Sequence, residues 1–295
     1  MPVVITIPRD FKGNSLSKLV ADLTVKSEKT LPSEIVFDFG QLNFIRPAGV
    51  VFLNNLINWL REHNVKIDFS NWEQQRPALR FLDDSLFFEK QLGRKVRNDA
   101  EPRATTRPLT EIAHERSHEW LETNFVPWLA RRLETTEASL YEIRGVISEL
   151  FNNIQDHTRY DIGSIFVQHF PAEDQINISV SDWGVGIPAK VREKMPQLSD
   201  PEAIIQATEE GFTTGSTQAN FGLGLDILLQ TVVSKNGGRV TIYSGKGIVR
   251  FRKQGAIVKS EIAPDVGFCP GTTIDINLRT DTLEHVPDER EDLQW

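Results

Sequence analysis

Leu140, Ile143, Ile147, Leu150 and Ile154 recur at intervals of three and four residues, a spacing that places them on one stripe of an α-helix and drives that stripe into a core. Fixing the buried stripe fixes what lies beside it. Glu149, Asn153 and His157 stand four apart on an adjacent edge of the same helix, with Asp156 close to them. A carboxylate on that edge can polarise an attacking water, and an asparagine carbonyl one turn on is a hard oxygen ligand for Mg²⁺. Alone, Glu-x-x-x-Asn suits an exposed polar face equally well, so the segments that follow it decide.

Two strand-like runs, SIFVQHF and INISVSD, lead into Asp182-Trp-Gly-Val-Gly-Ile-Pro188. The carboxylate stands at a strand's end, and Gly184 and Gly186 let backbone approach a ligand closely. An aspartate there can accept a hydrogen bond from an exocyclic amine, which would read adenine rather than phosphate. Next comes a small-residue stretch through Thr213 and Thr214, then a helix opening around Gly222-Leu223-Gly224-Leu225. Amides at a helix N-terminus bind anions, and glycines let phosphates reach them. Gly237-Gly238 ends that helix, VTIYS resumes a strand, and a further strand carries Gly271-Thr272. No G-x-x-x-x-G-K-[ST] stretch occurs, which excludes a P-loop.

In this order the segments resemble the GHKL ATPase superfamily of gyrase, the heat-shock chaperone, histidine kinases and mismatch-repair ATPases, across about residues 135–280. The resemblance implies ATP and Mg²⁺ as cofactors, with Glu149 as general base or assistant in transfer and Asn153 as the metal ligand. Asp182 would hold the adenine N6, with Gly184, Gly186 and Ile187 shaping the pocket and Thr272 backing it. Gly222, Leu223, Gly224 and Leu225 would lie against the phosphates, and Phe212 to Gly215, including Thr213 and Thr214, would belong to a lid. Asp156 and His157 also fall in the implied nucleotide site. Asn153-x-x-Asp156 looks like the gyrase and chaperone group, whereas His157-Thr158 and the short lid look like the kinase group. An aspartate at 156 would repel phosphate unless it binds metal or faces away.

Ser117-His118-Glu119 superficially matches a histidine-kinase phosphoacceptor box. Such a box opens a long helical hairpin before the ATP domain, and only about thirty residues separate His118 from Glu149. His118 is therefore read as an ordinary surface or interdomain histidine, and a conventional histidine kinase is set aside.

Upstream, EIVFDF, an amphipathic stretch VVFLNNLINWLREHN and KIDFSN read as a βαβ unit. PALRFLDDSLFFEKQLG reads as one further helix closing this part near Leu92. The run resembles a STAS domain, as in anti-sigma-factor antagonists. Where switchable members carry Asp-Ser in the turn, this chain has Arg46-Pro47, so no hydroxyl stands at the acceptor position. The resemblance implies a docking or control element, with Arg46 expected to be a solvent-facing turn residue.

Length and charge bound the rest. At 295 residues, two cores are expected. A formal charge of −8 disfavours direct nucleic-acid binding. The single Cys269 cannot form an intrachain disulfide, which fits a reducing cytoplasm. The opening MPVVITIPRD lacks signal-peptide character, and Asn54, Asn55 and Asn58 interrupt the most apolar helix, so no membrane segment is expected. The fold expected is α+β in two domains: a STAS-like α/β domain at 1–95, a polar, locally basic linker at 96–109, and a Bergerat-type α/β sandwich at 110–280. That sandwich has helical padding at its start and helices on one face of a mixed, largely antiparallel sheet. An acidic tail at 281–295 is expected to fray. The function expected is a cytoplasmic ATPase or serine/threonine-type kinase whose lid controls docking of a protein partner; the alternative is a nucleotide-sensing module without significant turnover. A homodimer is left open.

Overall fold

The computed structural model describes residues 2–13, 15–26, 31–157, 162–212, 224–264 and 267–286. Its first unit runs β1 (Val3–Thr6), β2 (Asp10–Phe11), α1 (Ser15–Lys26), β3 (Glu34–Asp38), β4 (Phe44–Ile45), α2 (Pro47–Glu62), β5 (Lys66–Ser70), α3 (Pro77–Asp84) and α4 (Phe87–Leu92). β1, β3 and β5 form a parallel sheet in that order, and β2 pairs in parallel with β4. β3, α2 and β5 are the expected βαβ unit. The helix expected over 77–93 is two helices, because Leu86 takes a left-handed φ of 64° between them. At the break, the buried Asp83 carboxylate accepts the backbone N–H groups of Val96 and Arg97.

The second unit runs β6 (Thr106–Ala113), α5 (His114–Trp120), α6 (Val126–Leu133), α7 (Tyr141–His157), β7 (Ile162–Phe170), β8 (Gln175–Asp182), α8 (Ile187–Arg192), α9 (Asp200–Gln206), α10 (Gly224–Leu228), β9 (Arg239–Gly245), β10 (Gly247–Gln254), β11 (Ile257–Ile262) and β12 (Cys269–Arg279). Wider helical turns at Leu121–Phe125 and Leu229–Lys235 join α5 to α6 and prolong α10. The seven strands lie in the order β11-β10-β9-β12-β8-β7-β6, and each neighbouring pair is antiparallel. A large antiparallel sheet with helices is therefore present, and this sheet is antiparallel throughout rather than mixed.

Strand alternation assigns the sheet's two faces. Ile176, Ile178 and Val180 of β8, with Ile242, Ile274 and Ile276, share one core with Ile147, Leu150 and Ile154 of α7. The intervening residues point the other way. Phe166 and Tyr243 belong to the core of the first unit, together with Ile5, Phe37 and Leu53. α2 is the shared layer, packing on β7, β8 and β12 as well as on β5. That position explains why it is buried nearly all round, Asn54 and Asn55 included. A buried polar network engages Asn54 and the Asn55 oxygen: Asn54 Nδ2 donates to Glu111 Oε1 at 2.9 Å and Ser164 Oγ at 3.1 Å, Gln91 donates to Asn54 Oδ1 at 2.6 Å, and Ser164 Oγ donates to Asn55 Oδ1 at 2.7 Å.

Three further expectations need correction. The stretch 96–109 is packed rather than a solvated linker: Arg97 pairs with Asp83 and Asp84, Arg103 pairs with Asp84, Ala100 is buried, and β6 begins at Thr106. Its local positive charge answers the acids of α3. Arg46 is not a solvent-facing turn residue: its guanidinium lies 4.4 Å from the Phe170 ring centre and reaches Asn177 Oδ1 and Glu173 Oε1. The start of the acidic tail is tied down, with Val286 N–H donating to Ser139 Oγ at 2.8 Å; residues 287–295 lie outside the described residues. Among the described residues, no helix is long and apolar enough to cross a membrane.

Candidate functional site

α7 folds as its periodicity requires, with Ile143, Val146, Ile147, Leu150, Phe151 and Ile154 buried. Glu149 and Asn153 flank that stripe, both half-buried. The start of α10 presses against them. A Cβ at Gly224 would lie 2.7 Å from Asn153 Nδ2, 2.7 Å from Glu149 Cγ and 2.9 Å from Glu149 Oε1. Only a residue without a side chain lets the α10 backbone come this close. The helix edge and the second glycine loop, remote in sequence, are thereby brought into contact.

Sequence reasoning missed the residues that orient Glu149. Asn152 Nδ2 donates to Glu149 Oε2 at 3.1 Å, and Asn152 Oδ1 lies 3.0 Å from His114 Nε2. With the amide so placed, the histidine carries its proton on Nε2 and donates to Asn152. One carboxylate oxygen is thus held, while Oε1 faces Gly224. Adjacency to Asn153 was a signal for Asn152; His114, on α5, had none.

The residues expected around adenine meet at the ends of β8, β9 and β12. Asp182 opposes Thr272 in register, and alternation sets both on the α7 side of the sheet. The Asp182 carboxylate accepts the Gly184 N–H at 2.7 Å and also a backbone bond from Thr272. Burial dominates over these bonds and pushes its pKa up to about 6. Gly186 has φ 83°, and Gly271 has φ 66° where β12 shifts register against β9. A Cβ on Gly271 would meet the Asp182 carbonyl oxygen at 2.1 Å, so this turn tolerates glycine alone. Ser244, fully buried, joins the loops: it accepts the Ile187 N–H at 3.0 Å and donates to the Gly271 carbonyl at 2.8 Å, with Thr272 Oγ1 at 3.1 Å. Sequence reasoning missed Ser244 as well.

Of the expected site residues, the structure gathers Glu149, Asn153 and Gly224 into one group and Asp182, Gly184, Gly186, Ile187 and Thr272 into another, on the same face of the sheet. Leu225 packs partly buried against the core beneath α7. Asp156 and His157 lie in the last turn of α7. Thr213, Thr214, Gly222 and Leu223 lie outside the described residues. His118 is exposed on α5.

The residues present fit a magnesium nucleotide. Among the described residues, Asn153 Nδ2 is buried without a hydrogen-bond partner, and a flip of the amide presents its oxygen there instead. Among the described residues, no group of three or more His, Cys, Asp or Glu side chains could hold a metal ion. An ion here would rest on Asn153 and on oxygens of the ligand, the usual way Mg²⁺ is held beside phosphates.

Residues 140–281 match the family model of the histidine kinase-, DNA gyrase B- and HSP90-like ATPases. No curated protein matches. Among solved structures, the chain is similar to a topoisomerase IV ATP-binding domain of Francisella tularensis in complex with a small-molecule inhibitor, at 13% identity and a TM-score of 0.28. That likeness covers 65% of this chain and 47% of the other, so it spans less than half of the other's length.

Proposed function

We propose that the protein is an Mg-ATP-dependent ATPase or serine/threonine-type protein kinase that works as a cytoplasmic signalling switch, a reading supported by the match of residues 140–281 to the histidine kinase-, DNA gyrase B- and HSP90-like ATPase model. The observation that carries this reading is the contact of Gly224 with Glu149 and Asn153. It sets a carboxylate and a hard oxygen ligand against the start of a helix, where amides favour anions. Asn153 would hold Mg²⁺, which when bound neutralises charge on the phosphates. Asp182 accepts the adenine amine, and Ser244 holds Gly186 and Gly271 open for the ring. Glu149 orients the attacking water or hydroxyl through Oε1, with Oε2 restrained by Asn152 and His114.

The first unit, STAS-like in this reading, serves as the control element. α2 covers the sheet face opposite Asp182, and Arg46 is committed to Phe170, Asn177 and Glu173 of the second unit. Lid closure over ATP then alters docking of this unit or of a protein partner across a shared sheet.

Incubation with γ-labelled ATP, alone and with cell extract, tests the reading. Label should leave as inorganic phosphate or stay on protein, and Glu149→Ala should keep Mg-ATP binding but lose either output. Undiminished turnover in that variant rejects the role of Glu149. Binding with neither output rejects the enzyme and leaves a nucleotide-sensing module.

A further inference from the structure

β11 is an outer strand of the seven-stranded sheet, and Ile257 and Ile262 at its ends are 66% and 50% exposed. Its backbone parity is fixed by one bond. The Ala263 N–H donates to the Ile248 carbonyl at 2.9 Å, in the register that pairs Val249 with Ile262. Hydrogen-bonded pairs alternate along an antiparallel ladder. Ile257, Lys259 and Glu261 therefore spend their N–H and C=O groups on β10, while Val258, Ser260 and Ile262 direct theirs outward. Such an edge is a template for another strand.

We propose that β11 pairs with β11 of a second copy of this chain, antiparallel about a two-fold axis through Ser260, to form one continuous sheet across the dimer. The register follows from the bonding parity. Outward residues must oppose outward residues, and the longest overlap that permits this sets Ser260 against Ser260 and Val258 against Ile262 of the other copy. The same register sets Lys259 against Glu261 of the other copy, twice, in the closer non-hydrogen-bonded pairs where cross-strand charges interact most strongly.

The side chains agree face by face. Val258 packs against the core beneath α7, and Ile262, opposite Val249 of β10, lies on that same face. Pairing therefore continues the apolar surface from one copy to the next. Lys259 and Glu261 lie on the other face, where Glu261 already sits 3.4 Å from Arg252, so each copy contributes both charge signs. The strand is complementary to itself in hydrogen bonding, apolar contact and charge, which selects a second copy as the occupant. A one-strand interface belongs to the small, transient class, with an expected Kd of roughly 1–100 µM.

Sedimentation of the full chain over a concentration series tests this, with three variants. Ser260→Pro removes an N–H that faces away from β10, which an edge strand tolerates, and should abolish the dimer. Lys259→Glu sets like charges together and should weaken it on the order of tenfold. Lys259→Glu combined with Glu261→Lys exchanges the charges and should restore it. Circular dichroism melts confirm that each variant is folded; should Ser260→Pro fail to fold, the charge swap alone decides. A parent chain still monomeric at about 500 µM overturns the proposal, as does a dimer that Lys259→Glu leaves unweakened or that the double exchange fails to restore.

Discussion

Gly224→Ala adds one methyl group where α10 meets α7. Its Cβ would lie 2.7 Å from both Asn153 Nδ2 and Glu149 Cγ, closer than such atoms pack, so both side chains must move. In a helix, alanine gains about 1 kcal/mol over glycine. Overpacking of this kind costs about 1–3 kcal/mol. The difference leaves at most about 2 kcal/mol of destabilisation, a fall in Tm of no more than roughly 8 °C for a chain of this size. Turnover should suffer far more, because displacing a positioned catalytic group by about 1 Å costs on the order of 10²-fold. The assay pairs a thermal melt with steady-state phosphate release. Gly145→Ala is the control: Gly145 is exposed on α7 with nothing among the described residues within 4 Å of its Cβ position. That change should raise stability by up to about 1 kcal/mol and leave turnover alone. A Gly224→Ala protein that turns over ATP at the parental rate refutes the reasoning, since the contact would then not position Glu149 and Asn153.

Asp182→Asn should abolish ATP binding and make the free protein's stability less sensitive to pH. Asp182 is held near 6 against 3.8 for an unperturbed carboxylate, so its contribution to stability is greatest below about pH 4 and is lost as pH rises to about 6. The variant should therefore gain on the parent at about pH 8, by up to about 3 kcal/mol, and not at about pH 4; equal differences in melting at the two values would contradict the burial argument. His114→Ala, which frees the Asn152 amide, should lower kcat with little change in KM, and a rise in KM alone would remove His114 from the orientation of Glu149. Asn54→Ala strips partners from Ser164, Gln91 and Glu111 at once; unfolding in urea should show a loss of about 2–3 kcal/mol, and a loss under about 0.5 kcal/mol would mean that water replaces the network.

What could be read from the sequence was local. The α7 stripe and its polar edge follow from periodicity, and the loops at Asp182 and Gly224 from glycine placement beside strand and helix signals. Ser244 escaped because a serine closing a strand has no signature; its role exists only because β9 lies next to β12. Arg46 escaped for the same reason, since Phe170 and Asn177 come near it only when α2 crosses the large sheet. β6 was hidden in an apparent linker because its alternation is broken at Pro108, where the register against β7 shifts, a place an edge strand allows proline. The single helix expected over 77–93 failed at Leu86, whose left-handed backbone no propensity argument foresees.

The central claim is that one face of the large sheet binds Mg-ATP between Asp182 and the contact of α7 with α10. Calorimetric titration of the full chain with ATP in the presence of Mg²⁺ tests it most directly. Saturable binding at one site per chain is expected for the parent, with no binding by Asp182→Asn. No heat of binding and no rise in Tm with ATP in the parent chain, or parental affinity in the Asp182→Asn variant, would contradict it.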